Sequence, residues 1–79
     1  MAIQITALAP GDRAVLLGYR QAEEKYRRKL LSMGLTRGTE FMMIKAAPMG
    51  DPVEIQLRGF RLSLRKKEAE IMELGRVQE

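Results

Sequence analysis

Cysteine, histidine and tryptophan are all missing from this chain of 79 residues. Without cysteine there is no disulfide, so a reducing, cytoplasmic compartment is the expected location. Without histidine and cysteine the chain lacks the usual base at neutral pH, the usual thiol nucleophile and the preferred ligands of zinc. Ser32 and Ser63 are the only serines, and neither has a base partner in the sequence. We therefore predict no enzyme activity, no catalytic residues, no cofactor and no metal site.

Aromatic residues and long apolar runs are also scarce. The four aromatic residues are two tyrosines and two phenylalanines, and Tyr26, Phe41 and Phe60 occupy phases expected to be buried. Few rings then remain for stacking on bases, so we expect no binding of nucleic acid. No apolar run approaches the ~18 residues of a membrane span. The first residues lack the basic and then apolar pattern of a secretory signal, so we expect neither a leader nor a spanning helix.

The size fits one small domain over residues 1–79 with a thin core. Glu68, Glu70 and Glu73 are expected to be solvated surface acids. Met33, Met43 and Met72 fit apolar phases and are expected to fill the core, whereas Met42 and Met49 are candidates for exposed contacts.

Positive charge is the most abundant polar feature, with a net charge of +4. Two stretches are free of acids, and each carries five basic residues. A basic face attracts nucleic acid, anionic lipid or an acidic protein surface, and solvated helix and strand faces are the alternative interpretation. The two groups are Lys25, Arg27, Arg28, Lys29 and Arg37, and Arg58, Arg61, Arg65, Lys66 and Lys67.

The stretch from residue 21 to residue 41 predicts a helix that ends sharply and turns into a strand. Tyr26, Leu30 and Met33 have the spacing of one helical face, within a helix over residues 21–33 that also buries Ala22. Gly34 is placed for a left-handed C-cap, and Leu35 follows where a Schellman turn folds an apolar side chain back on the helix. Leu35, Thr36 and Arg37 form the tip of this corner.

Short strands account for the rest of the chain. Residues 3–9 read as a strand or extended entry that ends in the turn at residues 10–12. Strands follow over residues 13–19, 39–47, 53–58 and 60–65, with a bulge marked by Gly18 and a hairpin turn at Arg58 and Gly59. Residues 66–72 read as a short helical turn, and Glu73 and Leu74 as a last strand. We predict a mainly β domain, a small barrel of about five strands with one inserted α-helix and a short C-terminal helical turn.

Four segments together resemble the FeoA family. They are Leu8-x-Pro10-Gly11, the run KLLSMGLxxG from Lys29 to Gly38, the run APMGDP from Ala47 to Pro52, and LRKKEA from Leu64 to Ala69. The resemblance implies an SH3-like barrel, similar also to the C-terminal domain of metal-dependent repressors. It further implies a cytosolic accessory protein of ferrous iron uptake that binds the cytoplasmic part of the membrane transporter FeoB. The family carries a general label of transition-metal-ion binding, with no ligand assigned here.

The corner after the helix is the candidate docking surface. Leu31 and Leu35 would anchor a partner, Arg27, Arg28, Lys29 and Arg37 would steer it, and Met49 would add an exposed contact. The alternative is that Leu31 and Leu35 simply close the core. Three other functions remain open: a nucleic-acid-binding barrel, a peptide-recognising SH3-like module, and self-association.

Overall fold

Five antiparallel strands form one sheet in the structure, a computed structural model that describes residues 2–21 and 24–77. The spatial order is β4-β3-β2-β1-β5, which is consistent with an SH3-like fold and confirms the predicted fold class. Helix α1 (Glu24–Ser32) connects β1 to β2, and the short helix α2 (Lys66–Ala69) connects β4 to β5. The strands are β1 (Arg13–Tyr19), β2 (Glu40–Ala46), β3 (Val53–Leu57), β4 (Phe60–Leu64) and β5 (Met72–Arg76).

The N-terminal segment is less regular than the strand or extended entry predicted for it. Only Ile3 pairs with the sheet, through two backbone hydrogen bonds of 2.7 and 2.9 Å with Leu74. A single 3₁₀ turn, Ile5–Ala7, then brings the side chain of Ile5 into the core. The predicted turn at residues 10–12 is confirmed, since Gly11 has a φ of +92°.

Alternation along the strands decides which side chains form the core. Ala14 and Leu16 of β1 are fully buried and Leu17 is exposed, which decides between two phases that the nearly all-apolar sequence of β1 leaves open. The register between β1 and β5 shifts between Leu16 and Gly18, which confirms the predicted bulge. The strands β3 and β4 form the predicted hairpin. The β-strand side chains of the core are Ala14, Leu16, Phe41, Met43, Val53, Ile55, Leu57, Leu64, Met72 and Leu74.

Helix α1 spans Glu24–Ser32, within the predicted range of residues 21–33, and Gln21 lies in a bend outside it. The predicted contribution of Ala22 falls outside the described residues. Leu30 is fully buried, and Tyr26 and Met33 are partly buried against the core. The predicted face of the helix is therefore confirmed for these three side chains.

A Schellman motif ends α1. The N–H of Leu35 donates to the carbonyl of Leu30 at 3.0 Å, and the N–H of Gly34 donates to the carbonyl of Leu31 at 3.1 Å. Gly34 has a φ of +94°, which confirms the left-handed cap. The motif turns the side chain of Leu35 inward, where it is 0% exposed. The prediction that Leu35 lies at the exposed tip is therefore wrong.

Two further predictions of burial are wrong. Phe60 is 46% exposed because it opens an edge strand directly after the hairpin turn, where the sheet ends. Glu68 is buried and not a solvated surface acid. Its carboxylate accepts hydrogen bonds from Lys29 Nζ at 2.6 Å and from the backbone N–H of Arg65 at 3.1 Å. The packing of α1 against α2 creates this site, and the spacing of the sequence does not reveal that packing.

Acid is expected to weaken the fold through Glu68. Burial raises the pKa of Glu68, but the hydrogen bonds from Lys29 and Arg65 outweigh burial and hold it below its ordinary value. The unfolded chain therefore binds this proton more tightly than the folded one. The stabilisation is present above the unfolded pKa of about 4.3 and is lost as the pH falls through the lower folded pKa.

Replacing Glu68 by glutamine should remove this contribution. We expect Glu68→Gln to lower the free energy of unfolding by about 1 kcal/mol at neutral pH and to flatten its decline in acid. Urea titrations between neutral pH and pH values below the ordinary glutamate pKa measure both effects. The control is Glu70→Gln, since Glu70 forms no ion pair with any residue of the described ranges. Equal acid sensitivity in the Glu68→Gln protein and the wild type would contradict this role.

Candidate functional site

A surface groove of about 530 Å³ lies between β1, α1 and β5. It is lined by the end of β1, the outward side of α1, the turn after α1, and the start of β5. The bulge at Gly18 places the last residues of β1 along one side of the groove. The fold thus brings together side chains that are far apart in the sequence, and we define the groove by Leu17, Leu31, Arg20, Arg27 and Arg37.

Two leucines give the groove an apolar surface. Leu17 is 43% exposed and Leu31 is 37% exposed, and both line the groove. Leu17 packs over Gly75 of β5, because a Cβ atom added at Gly75 would lie 3.4 Å from Leu17 Cδ1. Gly75 therefore leaves space for the leucine side chain on the outer face of the sheet. Exposed leucines gathered at one concave site are typical of a protein contact surface.

A tyrosine fixes the shape of the groove. Tyr19, half-buried at the end of β1, donates a hydrogen bond from its hydroxyl to the backbone carbonyl of Leu35. Burial raises the pKa of Tyr19 to about 12, although the positive charge of Arg27 acts in the opposite direction. The hydroxyl therefore keeps its proton at neutral pH and ties the turn after α1 to β1. This contact fixes the distance between the two sides of the groove.

The polar part of the groove is mainly cationic. Arg20, Arg27 and Arg37 line it together with Glu24 and Glu73. Glu24 lies 3.9 Å from Arg27 Nη1 and 3.5 Å from Arg28 Nε, which are weak, exposed pairs. Neither Arg20 nor Arg37 forms an ion pair with any carboxylate in residues 2–21 and 24–77. The groove thus offers guanidinium groups beside exposed leucines.

The structure separates the residues that the sequence suggested for docking. Arg27, Leu31 and Arg37 line the groove. Arg28 lies beside them on α1 and pairs with Glu24. Leu35 belongs to the core, because the Schellman motif turns it away from solvent. Met49 is 94% exposed but lies in the loop between β2 and β3 and not in the groove.

Lys29, expected to steer a partner, instead forms the ion pair with buried Glu68. Sequence reasoning also missed Leu17 and Arg20. The sequence contained part of the information, because Gly18 indicated a bulge. A bulge changes the alternation of inward and outward side chains in the residues that follow it. The pairing of β1 with β5, which brings Glu73 and Gly75 beside Leu17, has no local signal in the sequence.

Metal binding, membrane spanning and nucleic-acid binding were each compared with the described residues. Within the described residues, no group of three or more acidic side chains is arranged to hold a metal ion. No helix in the described part of the chain is long and apolar enough to cross a membrane. Phe60 is an exposed ring beside two arginines, Arg58 and Arg61. Stacking on one ring contributes about 1–3 kcal/mol per base, and tight binding of single strands uses several such rings.

The fold and the groove define a small SH3-like domain with a groove in which exposed leucines lie among three arginines and two glutamates. Comparison with known families is specific: the model of the FeoA domain matches residues 3–74. The chain therefore belongs to the FeoA family, which confirms the resemblance stated above.

Relatives of known structure support the same conclusion. The FeoA-like protein from Clostridium acetobutylicum, solved by NMR, is 38% identical, with a TM-score of 0.86 over 99% of this chain and 90% of that one. A manganese-dependent transcriptional repressor, 16% identical, matches 96% of this chain and 37% of its own with a TM-score of 0.88. That low identity shows a shared fold alone.

A curated relative combines two functions in one polypeptide. The "Fe(2+) transport protein A/Fe(2+) transporter FeoB fusion protein" of Porphyromonas gingivalis is 28% identical over 72 residues. The alignment covers 91% of this chain but only 8% of the fusion protein. This chain thus corresponds to a small part of that relative.

Proposed function

We propose that this protein is a non-catalytic accessory protein of ferrous iron transport that binds the cytoplasmic part of FeoB. The observation that carries the proposal is the fusion relative, in which a segment similar to this chain shares one polypeptide with FeoB. Covalent fusion holds two modules at a high effective concentration, which is useful when the modules act together. Membership of the FeoA family supports the same role.

The groove is the surface we assign to this contact. Leu17 and Leu31 are exposed leucines in a concave site, and burying them against a partner would stabilise a complex. Arg27 and Arg37 would accelerate the encounter with an acidic surface. Met49 is a further exposed apolar side chain and would contact the partner only if the interface extends to the loop after β2. Leu35 has no part in this proposal because it is buried.

Binding to FeoB is expected to depend on Leu31. We expect Leu31→Asp to weaken binding tenfold or more, a loss of about 1.4 kcal/mol, because it puts a carboxylate where an apolar contact is needed. Biolayer interferometry with the immobilised cytoplasmic part of FeoB from the same organism measures the affinity. The matched control is Phe60→Asp, which changes a side chain of similar exposure on β4. Circular dichroism confirms that both variants are folded.

Iron uptake gives the second readout of the same role. Cells that lack this protein should accumulate less radioactive Fe²⁺, and the wild-type gene should restore uptake where the Leu31→Asp gene, at equal protein level, does not. Equal binding of FeoB by the wild type and Leu31→Asp would contradict the assignment of the groove as the contact surface. If the wild-type protein does not bind FeoB, the proposed partner is wrong.

A further inference from the structure

We infer that the groove binds a protein segment that carries a carboxylate next to a branched aliphatic side chain. The inference rests on the proposed function, since such a segment would belong to the cytoplasmic part of FeoB. It goes further, because it states which chemistry in the partner the groove recognises. It follows from three features of the groove: exposed leucines, two arginines without an ion pair among the described residues, and two glutamates.

The aliphatic half of the recognition comes from Leu17 and Leu31. They are contributed by two different elements, β1 and α1, and line the same groove. Buried Ile71 extends the lining on the side of β5. A branched aliphatic side chain of the partner would remove the exposed parts of both leucines from water. Tyr19 adds little polar attraction, because its hydroxyl is already bound to the carbonyl of Leu35.

The carboxylate half comes from Arg20 and Arg37. Both are exposed and line the groove, and neither is paired with a carboxylate in the described part of the chain. Arg27, with Glu24 no closer than 3.9 Å, is a third donor. A guanidinium group binds a carboxylate with two parallel hydrogen bonds, a geometry that a lysine does not offer. An aspartate or glutamate in the partner satisfies this arrangement.

The two glutamates explain why a protein segment fits better than a polyanion. Glu24 and Glu73 line the same groove as the arginines. The carboxylate of Glu73 lies close to the backbone of β1, since its Oε1 would be 3.8 Å from a Cβ atom added at Gly18. A nucleic-acid strand or a sheet of anionic headgroups would bring phosphates next to these carboxylates. A segment with one acidic side chain avoids that repulsion.

Designed peptides test the chemistry directly. The probe is a short fluorescent peptide with one aspartate next to one leucine among small neutral residues, measured by fluorescence anisotropy with the full chain. We expect it to bind, and two matched peptides, with asparagine for aspartate or alanine for leucine, to bind about tenfold more weakly. Higher salt should weaken the aspartate peptide and leave the asparagine peptide unchanged.

Variants place the binding in the groove. Arg37→Glu and Leu17→Ala should each weaken the aspartate–leucine peptide about tenfold. Arg61→Glu and Phe60→Ala, which change the same kinds of side chain on β4, should leave its affinity unchanged. The double variant Arg27→Glu/Arg37→Glu should prefer a lysine–leucine peptide over the aspartate–leucine peptide.

The outcomes separate this inference from the proposed function. If FeoB binds but the aspartate–leucine peptide neither binds nor competes, the recognition chemistry is wrong and the partner stands. If the peptide binds and competes with FeoB, both are supported. If the peptide binds and FeoB does not, the groove chemistry is right and the partner is wrong. Concentration-dependent dimers in sedimentation that Leu17→Ala abolishes would show that a second copy of this chain occupies the groove, and would overturn the inference.

Discussion

Replacing Leu35 by alanine is expected to destabilise the protein by about 2–5 kcal/mol, the usual cost of deleting a fully buried leucine side chain. Leu35 is 0% exposed and belongs to the core, which it enters through the Schellman motif at the end of α1. In a domain of this size each kcal/mol lowers the melting temperature by roughly 4–8 °C. The small core contains few side chains that could move to fill the space.

The neighbouring Leu31 provides the matched control. Leu31 lies four residues earlier, carries the same side chain and is 37% exposed, so Leu31→Ala should cost less than about 1 kcal/mol. Urea denaturation of the two variants and the wild type measures the difference. Equal destabilisation by the two substitutions would contradict the inward position of Leu35. A comparison of FeoB binding by these two variants must therefore be made under conditions where Leu35→Ala is folded.

Replacing Gly34 by valine is expected to destabilise the protein by about 1–3 kcal/mol, the second largest effect. Gly34 has a φ of +94°, a backbone conformation that a β-branched residue resists. No heavy atom lies within 4 Å of a Cβ added there, when its two chain neighbours are set aside. The cost is therefore one of backbone conformation and not of collision. Thermal unfolding followed by circular dichroism measures it.

Two further substitutions isolate the backbone effect. Gly34→Asn should cost less than Gly34→Val, since asparagine tolerates positive φ better than other side chains. Gly18→Ala should cost little, because Gly18 lacks a positive φ and the added Cβ would have only an ordinary contact, 3.8 Å from Glu73 Oε1. If all three substitutions had the same effect, the left-handed cap at Gly34 would not contribute to stability.

The regular elements were predictable because their signals are local. Gly34 and Leu35 follow the helical face at the spacing of a Schellman turn, and the structure has that motif. Alternation predicted the inward face of β3, and Gly18 predicted the bulge, whereas the nearly all-apolar sequence of β1 left two phases open. Local sequence therefore determines the elements, their turns and most of the buried faces.

The groove was only half predictable because its parts meet through tertiary pairing. Arg27, Leu31 and Arg37 were found from the helix and its turn, which are adjacent in sequence. Leu17 and Arg20 were missed, because their surroundings depend on β5, which pairs with β1 across most of the chain. The burial of Glu68 by the contact of α1 with α2 was missed for the same reason. The exposed position predicted for Leu35 was wrong, because the Schellman motif, which was predicted correctly, also turns the side chain of Leu35 inward.

The pairing of β1 with β5 determines when the groove forms during synthesis. The first strand of the sheet leaves the ribosome before Ile71, Glu73 and Leu74, the residue that pairs with Ile3. Until the last strand joins the sheet, β1 has an unpaired edge and the groove lacks one of its sides. A partner that recognises the complete groove therefore selects finished domains over partly folded ones.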